Sequence, residues 1–177
     1  MKYKDIKTPN QFMKYLSKNF KYGFTYRNKT YTEDMPNFQA QMNQFYKLRT
    51  GTNFIKSGYG VCWDFCEFER DFFNKQNIPH ECYFIFSFKN RKDGGPTHSF
   101  TLFEQKNKWF WFEYSWFPFR GIWEYPSKTD ALKDIKTKFL QNNNVKSLEM
   151  YKIKKAKAGL NTVTYIDHCL NGEKIEI

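Results

Sequence analysis

Gly58-Tyr-Gly-Val-Cys-Trp-Asp-Phe-Cys-Glu-Phe-Glu-Arg-Asp-Phe-Phe73 is the stretch on which the fold turns. Two glycines open it and a helical pattern follows. Val61, Phe65, Phe68 and Phe72 stand at i, i+4, i+7 and i+11, which is one apolar stripe of an amphipathic helix. Gly58 and Gly60 let the chain arrive by a tight loop, in conformations that a Cβ resists. Cys62 therefore falls in the first helical turn. There the unpaired N–H groups and the helix dipole favour an anion such as a thiolate.

A nucleophile also needs a base, and a group that orients the base. Both follow in order. His98 lies in Thr97-His-Ser-Phe-Thr-Leu-Phe103, and Glu113 lies in Trp109-Phe-Trp-Phe-Glu-Tyr-Ser-Trp116. Both runs are rich in aromatic and β-branched residues and predict strands. Gln105-Lys-Asn-Lys108 between them predicts a hairpin turn. If Lys106-Asn107 forms a two-residue loop, residue 105 faces 108, 100 faces 113 and 98 faces 115. His98 and Glu113 are then diagonal neighbours on one face, about 7–8 Å apart between backbone positions. Their side chains can close that gap with a hydrogen bond. A slip of one residue would bring Tyr114 to the His98 face instead.

Taken together, these pieces resemble the transglutaminase-like (papain-like thiol) superfamily. The resemblance rests on Gly60-Val-Cys-Trp-Asp-Phe65 with its apolar helix, and on Asn77-Ile-Pro-His80 with its aromatic strand. It rests also on His98 opening one strand and on Trp111-Phe-Glu113 closing the next. It is strongest over residues 45–125. It implies an α+β fold whose central helix starts at the catalytic cysteine and packs against an antiparallel sheet. It implies a Cys62–His98–Glu113 triad that works through a thioester, in amide hydrolysis or acyl transfer of the protease, peptidase or transglutaminase type. A protein or peptide amide is the implied substrate. In that scheme the Cys62 N–H contributes to an oxyanion hole, with Gln44, Tyr46 or Tyr59 as candidates for the second donor. Water as acceptor gives hydrolysis and an amine gives cross-linking; the triad serves both, and the constant presence of water favours hydrolysis. The family commonly has aspartate where Glu113 stands and a small residue where Cys66 stands. These two departures motivate a second reading, a binding or scaffold domain that keeps the fold without the chemistry.

The net charge of +11 raises a third reading, a nucleic-acid binder. The composition argues against it. Lysine supplies 24 of the 29 basic residues, and they are spread along the chain, whereas readers of bases cluster charge and favour arginine. At 40% hydrophobic and 21% aromatic, the chain supplies a packed core easily, and 177 residues fit one domain. Met1-Lys-Tyr-Lys-Asp-Ile-Lys-Thr-Pro9 lacks the apolar core of a signal peptide, and no stretch reaches membrane-spanning length. The expectation is a cytoplasmic protein with reduced cysteines. Cys62 and Cys66, at i and i+4, hold their Cβ atoms about 5–6 Å apart, where a disulfide wants about 3.8 Å. Cys66 reads as packing, or as a resolving thiol near Cys62; Cys82 and Cys169 read as structural. Cys62, Cys66, His80, Cys82, His168 and Cys169 contain no Cys-x-x-Cys knuckle, so no metal site and no cofactor are expected.

Around this centre, Thr8-Pro-Asn-Gln11 predicts a capped helix with Phe12, Tyr15, Leu16 and Phe20 on its apolar face. Tyr22 to Tyr31 predicts a short strand or loop. A second helix is expected over 37–48, ended by Thr50-Gly51. Cys82 to Phe88 predicts a strand, and Asn90 to Pro96 a polar loop that leads to His98. Pro118 to Tyr125 reads as an aromatic loop, and a helix from Ser127 or Thr129 runs to Gln141. Strands are expected at Leu148–Ile153, Thr162–Ile166 and Lys174–Ile177. Asp64, in the first turn of the cysteine helix, reads as a partner of the helix dipole. The reading is one α+β domain over residues 1–177, with helices first and then an antiparallel sheet against the cysteine helix.

Overall fold

The computed structural model describes residues 2–87 and 95–177. Phe88, at the end of one expected strand, and most of the expected Asn90–Pro96 loop lie outside the described residues.

Helix α1 (Pro9–Asn19) starts as its residue types dictate. The Thr8 hydroxyl accepts the Gln11 N–H at 3.3 Å, and the Gln11 side chain accepts the Thr8 N–H at 3.2 Å. The expected strand or loop after it is a hairpin, β1 (Lys21–Tyr26) and β2 (Lys29–Thr32), turned by Arg27 and Asn28 at positive φ. Helix α2 (Phe38–Phe45) is shorter than expected. Thr50-Gly51 does not close it but opens a further helix, α3 (Gly51–Ser57). Gly58, at φ +65°, ends α3 in the left-handed region that favours glycine. The two residues of β3 (Tyr59–Gly60) then pair in parallel with β1, Lys21 beside Tyr59 and Tyr22 beside Gly60.

Helix α4 (Cys62–Lys75) follows at once. Beyond it, β4 (His80–Phe86), β5 (Thr97–Gln105), β6 (Lys108–Glu113) and β7 (Gly121–Tyr125) run antiparallel. Helix α5 (Lys128–Asn142), β8 (Glu149–Ile153), α6 (Thr162–Leu170) and β9 (Glu173–Lys174) complete the chain. The main sheet has the order β7-β6-β5-β4-β8-β9, and the smaller one β2-β1-β3. The fold is α+β, with the cysteine helix against an antiparallel sheet. No helix among the described residues is long and apolar enough to cross a membrane.

The β5–β6 register is the one the two-residue loop predicts, with Gln105 opposite Lys108 through to Thr101 opposite Phe112. Lys106 and Asn107 both take positive φ, as a turn matched to the twist of its strands requires. Three further expectations fail. The strand expected at Lys174–Ile177 is only the two-residue β9, because pairing with β8 is limited to Glu173 and Lys174. The Pro118–Tyr125 loop is a short 3-10 turn followed by β7, because β6 offers an open edge that Gly121 to Tyr125 pair along. Thr162 to Ile166 belongs to α6, not to a strand. Asn161 accepts the Thr164 N–H at 2.9 Å and the Thr164 hydroxyl accepts the Asn161 N–H at 2.9 Å, a reciprocal cap. Thr162, Tyr165 and Cys169 are buried at helical spacing. Capping and packing here outweigh the weak strand preference of Thr-Val-Thr-Tyr-Ile.

Val61, Phe65, Phe68 and Phe72 are at most 2% exposed, as the stripe requires. The opposite face is buried too. Phe65, Phe68 and Phe72 pack with Phe12, Phe20 and Phe112, while Trp63 and Cys66 pack with Tyr46, Phe84 and Tyr165. Helix α4 is thus enclosed rather than amphipathic, and its polar side chains need partners inside the protein. Glu67 binds Arg70 at 3.2 Å and accepts the Ala156 N–H at 3.2 Å; Arg70 donates to the Ile153 carbonyl at 3.1 Å. Glu69 accepts the Thr101 hydroxyl at 2.7 Å. Helix α5 covers the other face of the sheet with Ala131, Leu132, Ile135 and Phe139.

The start of α4 is pinned twice. Asp64 accepts the Val61 N–H at 2.9 Å and the Arg49 N–H at 2.8 Å, so it holds the entry loop as well as complementing the dipole. Burial raises its carboxyl to about 7, against the pull of those two donors. At Gly60 a Cβ would meet the Phe54 ring at 2.4 Å, and Phe54 is fully buried with nowhere to retreat. Gly60→Ala should therefore lower stability by about 1–3 kcal/mol, and Asp64→Ala, which orphans two buried N–H groups, by about 2 kcal/mol. Urea unfolding of both variants checks this; a Gly60→Ala protein as stable as the wild type would contradict the packing described.

Candidate active site

Three elements converge where α4 begins, β5 begins and β6 ends. They bring Cys62, His98 and Glu113 together. All three are buried; Glu113 is 1% exposed. His98 Nε2 lies 2.7 Å from Glu113 Oε2. The other carboxylate oxygen, Oε1, accepts the Trp116 N–H at 2.7 Å and the Ser115 hydroxyl at 3.1 Å. Glu113 is therefore fixed at both oxygens and presents one of them to the imidazole. The His98 ring also packs on Trp116, with centroids 5.0 Å apart. Glu113 takes Nε2, so Nδ1 is the ring nitrogen left for Cys62, which acts on the His98 side chain electrostatically.

The electrostatics follow from that geometry. Burial works against a charged imidazole, but the Glu113 carboxylate and Cys62 outweigh it, and His98 is raised from 6.5 to about 10. At neutral pH His98 is an imidazolium held between a carboxylate and a thiol group.

Tyr22 completes the constellation, and the sequence reading missed it. Tyr22 lines the same cleft as Cys62, and its hydroxyl is close enough to the Cys62 thiol and backbone N–H to feel both. That N–H is one of the orphan donors of the α4 first turn. Burial first, then Cys62 and Glu33, hold the Tyr22 phenol well above its ordinary value. Tyr22 arrives there because β1 pairs in parallel with β3, two residues before Cys62. A parallel pairing across so many intervening residues leaves no local sequence signal.

Of the three candidates for the second oxyanion donor, Gln44 and Tyr59 line neither cleft of the site, while Tyr46 packs in the same core cluster as Cys62, with its ring 5.5 Å from that of Trp63. Gln44 is exposed on α2, and its neighbours Gln39 and Asn43 line the Cys62 cleft in its place. Tyr46 is 2% exposed; its hydroxyl faces Asp64 outside good hydrogen-bond geometry. Tyr59 is half-buried in β3 and lines neither cleft of the site.

All four cysteines are free and buried. Cys66 faces the Phe100 carbonyl at 3.7 Å, the Thr101 hydroxyl at 3.8 Å and Cys82, so it turns away from Cys62, and burial raises its thiol well above the ordinary range. It is a packing residue. Among the described residues no cluster of histidine, cysteine and carboxylate side chains is placed to hold a metal ion.

The site opens on two sides. Cys62 lines a cleft of about 390 Å³, and His98 lines a second of about 270 Å³. In comparison with known proteins, a family model described as a transglutaminase-like domain matches residues 1–151. No curated protein and no solved structure matches the chain.

The raised His98 value makes a signed prediction. Below pH 6.5 the folded and unfolded chains both carry the proton, and the pair contributes fully to stability. From there up to about 10 only the folded chain keeps it, so the contribution falls as pH rises. The stability gap between wild type and Glu113→Gln, measured by urea unfolding, should be largest near pH 6 and shrink toward pH 10. A gap that widens with pH would refute the assignment.

Proposed function

The chain belongs to the transglutaminase-like family, and from that premise we propose that it is a cysteine-dependent enzyme acting on the amide bond of a protein or peptide. The observation that carries this reading is the 2.7 Å His98–Glu113 pair set against Cys62 at a helix start. In the proposed cycle His98 holds the Cys62 proton at Nδ1, and the Cys62 sulfur attacks the amide carbonyl. The developing oxyanion takes the Cys62 N–H, and the Tyr22 hydroxyl supplies the second hydrogen bond. His98 then gives its proton to the departing amine as the C–N bond breaks and the thioester remains. Water, deprotonated by His98, attacks the thioester and releases the acid. Glu113 keeps the imidazole oriented and its charged form stable throughout. An amine in place of water would give cross-linking; hydrolysis is preferred because water is always at hand.

Glu113 serves where the family commonly has aspartate. The extra methylene does not prevent the contact: the longer side chain still meets Nε2 and keeps two further donors at Oε1.

One observation favours a second reading. Cys62 is only 5% exposed, as in a binding domain that keeps the fold without turnover.

Alkylation kinetics at each cysteine, mapped by peptide mass, separates the two. Under the enzyme reading Cys62 reacts at pH 6 far faster than the other three thiols, and His98→Ala slows it by about 10²-fold, the thiolate fraction lost on return to an ordinary thiol pKa of about 8.5. If Cys62 reacts no faster than Cys66, Cys82 and Cys169, the enzyme reading fails. For a substrate found by screening, Tyr22→Phe should lower kcat by about 10²-fold with KM little changed, the usual cost of one oxyanion donor.

A further inference from the structure

Cys62 and His98 open onto different clefts, and the two differ in character. The Cys62 cleft is walled by Phe38, Met42, Trp63, Val163 and Ile166. Its polar groups are neutral, and of the described residues that line it none is charged. The His98 cleft is walled by Trp116 and Phe117 and holds one carboxylate, Glu33. Tyr22 and Thr97 line both clefts and so form the ridge between them.

The chemistry proposed above, on which this inference rests, gives each cleft an occupant. The acyl group stays bonded to Cys62 sulfur, so it lies in the neutral cleft. The amine takes its proton from His98, so it leaves through the cleft that holds Glu33. We propose that the substrate carries a positive charge on the amine side, within a residue or two of the scissile bond, and that Glu33 selects it, while the acyl side is uncharged and mainly apolar.

Three observations support Glu33 in that role. In a chain of net charge +11, it forms no salt bridge among the described residues. Glu67, Glu81, Glu124, Glu149, Asp71 and Asp134 each hold a lysine or arginine, while Asp5, Asp34, Glu104, Asp130 and Glu173 hold none; among the described carboxylates without such a partner only Glu33 lines a cleft of the site. Glu33 acts electrostatically on the Tyr22 hydroxyl, which itself lies close to Cys62, so the carboxylate lies within reach of the reacting atoms. Trp116 and Phe117, the latter 70% exposed, line the same cleft with aromatic faces of the kind that take a cation; Phe117 already carries the Arg120 guanidinium at 5.0 Å. The other charged group in that lining is the His98 imidazolium, which is paired with Glu113 rather than with Glu33.

The test uses the full chain and two readouts. A pool of synthetic peptides with randomised sequence is digested, and the cut sites are read by mass spectrometry. Lysine and arginine should be enriched about three- to fivefold in the first two positions after the cut, the scale of an exposed ion pair. Glu33→Gln should remove the enrichment and Glu33→Lys should replace it with aspartate and glutamate. Enrichment that ignores both substitutions, or no charge preference in the wild type, overturns the proposal. The second readout needs no turnover: protection of Cys62 from iodoacetamide by 1,5-diaminopentane against 1,5-pentanediol. The diamine should protect better in wild type and lose its advantage in Glu33→Gln; equal protection by the two overturns the proposal. Diamine protection without any cut peptide would sink the catalytic reading and leave the cleft assignment standing. Cut peptides without a charge preference would do the reverse.

Discussion

Over its first nine residues helix α4 has no solvent-facing side, and much of the structure answers to that constraint. Ten of its side chains beyond Cys62 are buried, including Asp64, Glu67, Glu69 and Arg70. Each polar one must find its partner inside the protein or forfeit the cost of desolvation. The partners come from far along the chain: Arg49 for Asp64, Ala156 for Glu67, Thr101 for Glu69 and Ile153 for Arg70. These bonds fix the rotation and height of the helix against the sheet, in a way that apolar packing alone does less sharply. The position of Cys62 is a consequence. It stands at the one end of α4 where backbone donors remain open, and the entry loop is locked by Asp64 on one side and by Phe54 against Gly60 on the other.

The electrostatics of the site are local. The excess of lysine makes a diffuse field that salt screens within about 8–10 Å. The His98–Glu113 pair is buried and screened far less, so it decides the state of the imidazole whatever the surface charge does. Glu113 spends its second oxygen on the Trp116 N–H and the Ser115 hydroxyl, which keeps the carboxylate from swinging away. The ring is clamped in turn by Trp116. The aromatic run after β6 is thus partly core and partly the housing of the base.

Local rules made the central features legible. The apolar stripe, the Thr8 cap, the Lys106-Asn107 turn and the resulting nearness of His98 to Glu113 depend on residues close in sequence, and each appears in the structure. What stayed hidden was non-local. The parallel β1–β3 pairing that carries Tyr22 to Cys62 joins segments separated by two helices and a strand. Helix α6 was misread because β-branched residues suggest a strand until the Asn161–Thr164 cap and the burial of Tyr165 are known. The buried second face of α4 was unreadable because its charged residues look solvent-facing until their partners are placed. Gln44, Tyr46 and Tyr59 suggest themselves because they are near Cys62 in sequence, whereas Tyr22 is carried to the start of α4 by the distant strand β1.

The account stands on His98 being an imidazolium, bonded through Nε2 to Glu113 and with Nδ1 left for Cys62. Nitrogen-15 NMR of the imidazole, followed as a function of pH, measures this directly. The account predicts that His98 keeps both ring protons through neutral pH and titrates near 10, and that Glu113→Gln brings the titration down toward or below 6.5. A neutral His98 ring at pH 7, titrating at or below 6.5 with Glu113 intact, would contradict it.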